Sequence, residues 1–282
     1  MNEGENDMAF VTKVAHCLFR NSYSLDGNIA DKKKVNLEWW KAKLNIGDIL
    51  AKAVYDYMIE YYKINKDKYT AKTIHLNTIG SIIAMSDYDA VIWGSGIHCA
   101  STINNLVRHQ HYVKYDVRAV RGPITEKFLE TSGYKCPHIY GDPAVLMPLI
   151  YKPADRIKVY DVSVIMHLSQ REENNCLYHC IDVATDNYMY FIEEICKSKL
   201  IVSSSLHGII LAESYGVPAI LWRKGIENEE MKFYDWYFST GRHHIVTIDS
   251  LDGIGCVETM PLPNLDDMRR ALMTSFPRDL WE

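Results

Sequence analysis

The sequence predicts an α/β protein of two lobes, each built on a mainly parallel sheet with helices on both faces. Three observations carry that expectation. Short apolar, β-branched runs alternate with segments of helical period from Val35 onward. Most of these runs end in a loop that joins a small residue to a polar one, such as Gly94-Ser95-Gly96 or Gly141-Asp142-Pro143. A polar break containing Pro153 divides the series in two.

Residues 10–19 read as either helix or strand, and 28–34 as a loop. A strand is predicted over 35–40, then a turn at Asn45-Ile46-Gly47-Asp48. A helix over 49–64 follows, with Asp48 as its N-cap. Next come a strand at 73–77, a short helix at 80–85 and a strand at 90–93. A strand at 115–120 ends in Arg121-Gly122-Pro123. Pro123 suits the first turn of the helix at 124–132, which Gly133 stops. A strand at 138–140 runs into Gly141-Asp142-Pro143. After the break at 152–158, strands are expected at 159–167, 180–183, 200–203, 219–222 and 245–248. Helices are expected at 187–198, 206–215, 233–239 and 265–274. The organisation that follows is an extension over 1–34, one lobe over 35–152 and a second over 153–262. A terminal helix within 263–282 packs back on the first lobe.

Composition narrows the function classes. The chain has 282 residues, a formal net charge of -5 and 48% hydrophobic content, enough for a sizeable core. No basic stripe suggests a nucleic-acid partner, and Lys32-Lys33-Lys34 reads as a solvated loop. No apolar run reaches the roughly 18 residues of a spanning helix. The seven cysteines, at 17, 99, 136, 176, 180, 196 and 256, are odd in number and scattered. With an acidic, polar start to the chain rather than a secretory leader, they are expected as reduced thiols in the cytoplasm. Cys176, His179 and Cys180 are the one cluster with metal-ligand chemistry, but no second pair has matching spacing, so no metal is expected.

In open parallel sheets ligands gather at the carboxyl ends of the strands, where helix N-termini offer unpaired N–H groups to anions. His207 stands out there. It sits where a buried strand turns into a helix, after Ser203, Ser204 and Ser205 and before Gly208. An imidazole titrates near neutral pH and can donate or accept a proton. Asp48 and Asp142 are either caps or acid–base groups. Arg121 has the fork for a phosphate or carboxylate, and Arg223 and Lys224 can complete an anion site. Asn45, Gly47, Ser95, Gly96 and His167 are expected to line the cleft. Gly94-Ser95-Gly96 is no dinucleotide fingerprint, because Cys99 stands where a third glycine belongs.

Together these segments resemble the polysaccharide pyruvyl transferases. The resemblance is carried by Asn45-Ile46-Gly47-Asp48, Ile92-Trp93-Gly94-Ser95-Gly96, Ala119-Val120-Arg121-Gly122-Pro123 and Tyr140-Gly141-Asp142-Pro143-Ala144. It continues in Ser204-Ser205-Leu206-His207-Gly208 through Gly216-Val217-Pro218, and in Lys232-Phe233-Tyr234-Asp235. It implies two Rossmann-like lobes facing a cleft, similar to GT-B glycosyltransferases. It also implies transfer of a pyruvyl group from phosphoenolpyruvate to a sugar of a polysaccharide precursor, lipid-linked or free, as a cyclic ketal. On that reading His207 protonates the donor, with Asp48 or Asp142 as base. Arg121, Ser204, Ser205 and Gly208 hold the donor, helped by Arg223 or Lys224. Phosphoenolpyruvate is then a substrate, and no cofactor is called for. Many members carry Arg where Ser205 stands here. Two other readings are kept open: a glycosyltransferase of the same shape using a nucleotide sugar, and a glycan-binding protein without catalysis.

Overall fold

The structure is a computed structural model that describes residues 20–31, 33–70, 73–99, 101–154, 157–173 and 177–282. The segment 10–19, Lys32, Cys17 and Cys176 lie outside these residues. The elements are β1 (Val35–Glu38), α1 (Ile46–Tyr61), β2 (Ile74–Asn77), β3 (Ala90–Trp93), α2 (Thr102–His109), β4 (Tyr115–Ala119), α3 (Pro123–Thr131), the one-turn α4 (Met147–Ile150), β5 (Tyr160–Ile165), β6 (His179–Cys180), α5 (Tyr188–Cys196), β7 (Ser198–Ser203), α6 (Leu206–Ser214), β8 (Ala219–Trp222), α7 (Glu230–Ser239), β9 (Thr247–Ile248) and α8 (Asp266–Ser275).

They form two fully parallel sheets, ordered β1-β2-β3-β4 and β6-β5-β7-β8-β9. The strands are short; β3 and β8 are buried throughout, and β5 and β7 over their carboxyl halves, as parallel sheets require. The fold is the expected pair of Rossmann-like lobes. In the second sheet β6 lies on one side of β5 and β7 on the other. The loops leaving β5 and β7 therefore diverge and open a crevice at their carboxyl ends, the switch point where such sheets bind ligands.

Two helices weld the lobes together. Leu50, Val54 and Met58 of α1 belong to the same buried cluster as Ile209, Ile210 and Leu211 of α6. Every residue of α6 is buried, so it is covered all round rather than presenting one apolar stripe. Each fully buried Leu or Ile contributes about 1.5–3 kcal/mol. The chain end returns to the first lobe. Trp93 Nε1 donates to the Leu272 carbonyl at 3.0 Å, Phe276 meets the Trp93 ring edge-on, and Arg118 pairs with Asp279.

Several local expectations give way to tertiary structure. Residues 80–85 are an irregular loop, because Gly80 and Ala84 both take positive φ and interrupt any helix. Residues 138–140 make a single parallel bridge, Val120 to Tyr140, and His138 itself is left-handed. The first long helix begins at Ile46, with Asn45 rather than Asp48 as its cap. Helix α2 went unpredicted because two of its three buried residues, Thr102 and His109, are polar and hide the apolar period. Helix α7 starts three residues earlier than expected, which brings Lys232 inside it.

Candidate active site

The two loops at the switch point are tied together by serines. The Ser203 hydroxyl accepts the Ser205 N–H at 2.9 Å and donates to the Ser205 carbonyl at 2.8 Å. The Ser204 hydroxyl accepts the His167 N–H at 2.8 Å and faces Gln170 Oε1 at 3.3 Å. Ser204 is thus fully buried and committed to the loop after β5, not the donor ligand expected from sequence. Gly208 likewise serves packing. A Cβ there would lie 2.5 Å from the Ser203 hydroxyl, so glycine lets α6 approach β7. Ser205 is the N-cap of α6 but makes no side-chain cap bond. The first-turn N–H groups beside it remain unclaimed by that hydroxyl, next to the positive end of the helix dipole.

His207 sits on that first turn, between Gly47 and Asp142. Its ring lies so close to α1 that a Cβ on Gly47 would be 2.0 Å from Nδ1. Glycine at 47 is therefore what lets the two helix N-termini converge. On the other side, Nε2 faces Asp142 Oδ2 at 3.5 Å. Both atoms are buried and neither has another hydrogen-bond partner, so they form a pair poised to close. Asp142 is itself held by accepting the Ala144 N–H at 3.0 Å through Oδ1. It thus fills the cap role read from the sequence, and its second oxygen is the one that faces His207.

Asp48 projects from the first turn of α1 into the same cavity. Asn45 caps the helix through the Gly47 N–H and donates its side-chain amide to Asp48 Oδ2 at 2.9 Å. Burial raises the Asp48 carboxyl to about 6, against the opposing pull of His207, the Asn45 hydrogen bond and Lys232. A carboxyl there is half ionised at about pH 6, close enough to neutral to suit proton transfer.

Arg121 departs from expectation. It is 1% exposed and its guanidinium donates to Asp235 Oδ2, the Ser81 hydroxyl and the Ile97 carbonyl at 3.1, 2.6 and 2.8 Å. Its charge is answered by Asp235, so it acts as a clamp rather than an anion ligand. Gly96 makes room for that clamp, since a Cβ would meet the guanidinium carbon at 2.3 Å. Ser95 is also buried, donating to the Gly80 carbonyl at 2.8 Å. Neither residue lines the cleft. Arg223 pairs with Asp249 at the surface and the Lys224 ammonium lies over the Trp222 ring at 5.4 Å. Both stand outside the cavity.

That cavity encloses about 330 Å³ between the lobes, with Asn45, Asp48, His167, Ser205 and His207 in its wall. It also contains residues that sequence reasoning missed: His98, Glu229 and Lys232. Lys232 is 7% exposed and pairs with Glu229. It opens the Lys232-Phe233-Tyr234-Asp235 segment, yet nothing local in the sequence marks this lysine as buried. Elsewhere, His179 is spent on Glu194 at 2.8 Å, and Glu126, Glu130 and His138 bring carboxylate and imidazole atoms within 4.8 Å of one another. Two of these three are exposed, and Glu126 already pairs with His138 at 2.9 Å and accepts from Tyr140. No helix among the described residues is long and apolar enough to cross a membrane.

Fold and site define a two-lobed, Rossmann-like α/β protein whose inter-lobe cavity is lined by His207, Asp48 and a cluster of His98, His167, Glu229 and Lys232. Residues 90–221 match the family model of the polysaccharide pyruvyl transferases, the family that the motifs resemble. The matched span runs from β3 through Arg121, Asp142 and His207 to β8. The chain is also 26% identical over 227 residues to an uncharacterized protein of Acanthamoeba polyphaga mimivirus, covering 73% of this chain and 74% of that one. A crystal structure of a functionally uncharacterized Klebsiella pneumoniae protein aligns with a TM-score of 0.49 at 15% identity, over 89% of this chain and 100% of that one.

Proposed function

We propose that this protein transfers a pyruvyl group from phosphoenolpyruvate to a sugar of a polysaccharide precursor and closes it as a cyclic ketal. The observation that carries the reading is the His207–Asp142 pair, two facing buried atoms at 3.5 Å without other partners, at the wall of a cavity between helix N-termini. Catalytic hydrogen bonds are often long before substrate binds and tighten in the reacting complex. The family match supports pyruvyl transfer to a polysaccharide as the reaction class.

The residues divide the work as follows. His207 in its imidazolium form gives a proton to the methylene carbon of the donor, and Asp142 stabilises the charged ring. The central carbon becomes electrophilic. A sugar hydroxyl adds to it while Asp48 takes the hydroxyl proton. A second hydroxyl then attacks the same carbon, phosphate leaves with the bridging oxygen, and the second hydroxyl proton passes to the His207 imidazole, which became neutral in the first step. The methyl ketal and inorganic phosphate are the products. First-turn N–H groups of α6 lie beside the reacting carbon and stabilise the donor carboxylate.

The donor tests this reading. Phosphoenolpyruvate is expected to raise the melting temperature of the protein, whereas UDP, GDP and CMP leave it unchanged. Stabilisation by a nucleotide and none by phosphoenolpyruvate would replace this reading by a glycosyltransferase of the same shape.

A further inference from the structure

Three nitrogen donors, from two loops and the first turn of α7, converge on one oxygen. His98 Nε2 and His167 Nε2 each lie 3.5 Å from Glu229 Oε2. The Lys232 ammonium donates to the same atom. His98 follows β3 in the first lobe, His167 follows β5 in the second, and Glu229 and Lys232 stand at the start of α7. All four line the cavity that holds His207.

The cluster is built around an anion rather than around Glu229. A nearly buried ammonium is costly unless an anion pairs it, and Lys232 is such a group. Glu229 supplies that anion, but nothing else requires its carboxylate. As the N-cap of α7 it makes no side-chain cap bond, and it is 22% exposed to the cavity. One carboxylate oxygen also draws three donors that three oxygens would share more evenly.

We infer that Glu229 is a stand-in for a ligand, and that His98, His167 and Lys232 form a subsite for a phosphoryl group from which the Glu229 carboxylate is displaced. That the phosphoryl group belongs to phosphoenolpyruvate rests on the function proposed above; the subsite itself rests on the convergence.

The histidines need no charge to serve. The Ser169 N–H points at His167 Nδ1 at 3.4 Å, and the Ser169 hydroxyl lies 2.8 Å from the same nitrogen. A donor aimed at Nδ1 makes that nitrogen the acceptor and leaves the proton of a neutral ring on Nε2, facing Glu229. Burial, against the pull of Glu229, holds His98 below the usual imidazole range. Burial and then Lys232 do the same for His167. Lys232 therefore brings the formal charge and the two rings bring directed N–H groups.

Calorimetric titration of the whole chain with inorganic phosphate, and separately with pyruvate, tests the assignment. Glu229→Ala and Glu229→Gln should each tighten phosphate by about tenfold, because a competing charge has left the site. Pyruvate binding should not change. Lys232→Met and His98→Ala should weaken phosphate. If Lys232→Met fails to fold, His98→Ala and the two Glu229 variants decide alone. Phosphate affinity equal to or weaker than wild type in both Glu229 variants would overturn the inference. So would tightening of pyruvate instead of phosphate. Pyruvyl transfer that persists while none of these variants alters phosphate binding would remove the subsite and keep the function. The expected phosphate pattern without any pyruvyl transfer would keep the subsite and remove the function.

Discussion

Helix α7 carries two ion pairs within seven residues, and they differ in kind. Asp235 is 1% exposed and accepts from Arg121, from the Ile124 and Thr125 N–H groups and from the Thr125 hydroxyl. It therefore caps α3 from the opposite lobe, where Gly122 offers no side-chain cap. Glu229, the N-cap residue of α7, faces the cavity and is surrounded by more donors than it can use well. The first pair is closed on every side and holds the lobes together. The second is open toward the cavity. A charged pair reads as architecture when its partners are all supplied by the fold, and as a site when donors are left over and solvent can reach them.

The comparison can be broken most severely at the closed pair. Arg121→Ala or Asp235→Ala leaves an uncompensated buried charge and should cost about 3–5 kcal/mol of stability, read by urea unfolding. Variants that unfold at the wild-type midpoint yet bind phosphate poorly would make Arg121 a ligand after all. Gly47→Ala acts next. The new Cβ would fall 2.0 Å from His207 Nδ1, so the ring must turn away from Asp142. Pyruvyl transfer should drop about a hundredfold while the far-ultraviolet circular dichroism is unchanged.

Asp48 separates stability from activity. Its folded carboxyl titrates at about 6, against 3.8 as the ordinary value, so the native state holds the proton more tightly than the unfolded chain. The fold is then relieved of the buried charge at low pH, and loses stability as pH rises from the unfolded value to the folded one. Asp48→Asn should stabilise the protein at about pH 8 by up to about 3 kcal/mol, with little effect at about pH 3. A stability difference independent of pH would contradict the burial of an ionising group here. The same titration predicts a transfer rate in the wild type that rises through about pH 6 as Asp48 becomes a base. The smallest effect belongs to Arg223→Ala. Its guanidinium answers Asp249 at the surface, so phosphate affinity and melting temperature should both stay at wild-type values.

The two lobes and the loop around His207 were legible because their signals are local. An apolar β-branched run followed by serines, a histidine and a glycine marks the end of a buried strand and the start of a helix. The Asn45–Asp48 turn was visible for the same reason, although which residue caps the helix was decided by geometry. The identity of the anion site was not legible. Arg121 looks free in sequence, and its partner Asp235 lies 114 positions away. Glu229 and Lys232 sit in a charged stretch that composition assigns to solvent, and only the return of α7 to the cavity buries the lysine. The loop at 80–85 has apolar spacing that suggests a helix, yet two left-handed residues bend it so that Ser81 meets Arg121.

The central claim is that the His207 cavity moves a pyruvyl group. Its most direct test is mass spectrometry of synthetic galactosides and glucosides incubated with phosphoenolpyruvate and either the wild-type protein or His207→Ala. The wild-type protein should give a product heavier by one pyruvate ketal with one phosphate released per ketal formed, and His207→Ala should give neither. Ketal formation by His207→Ala at the wild-type rate would contradict the claim.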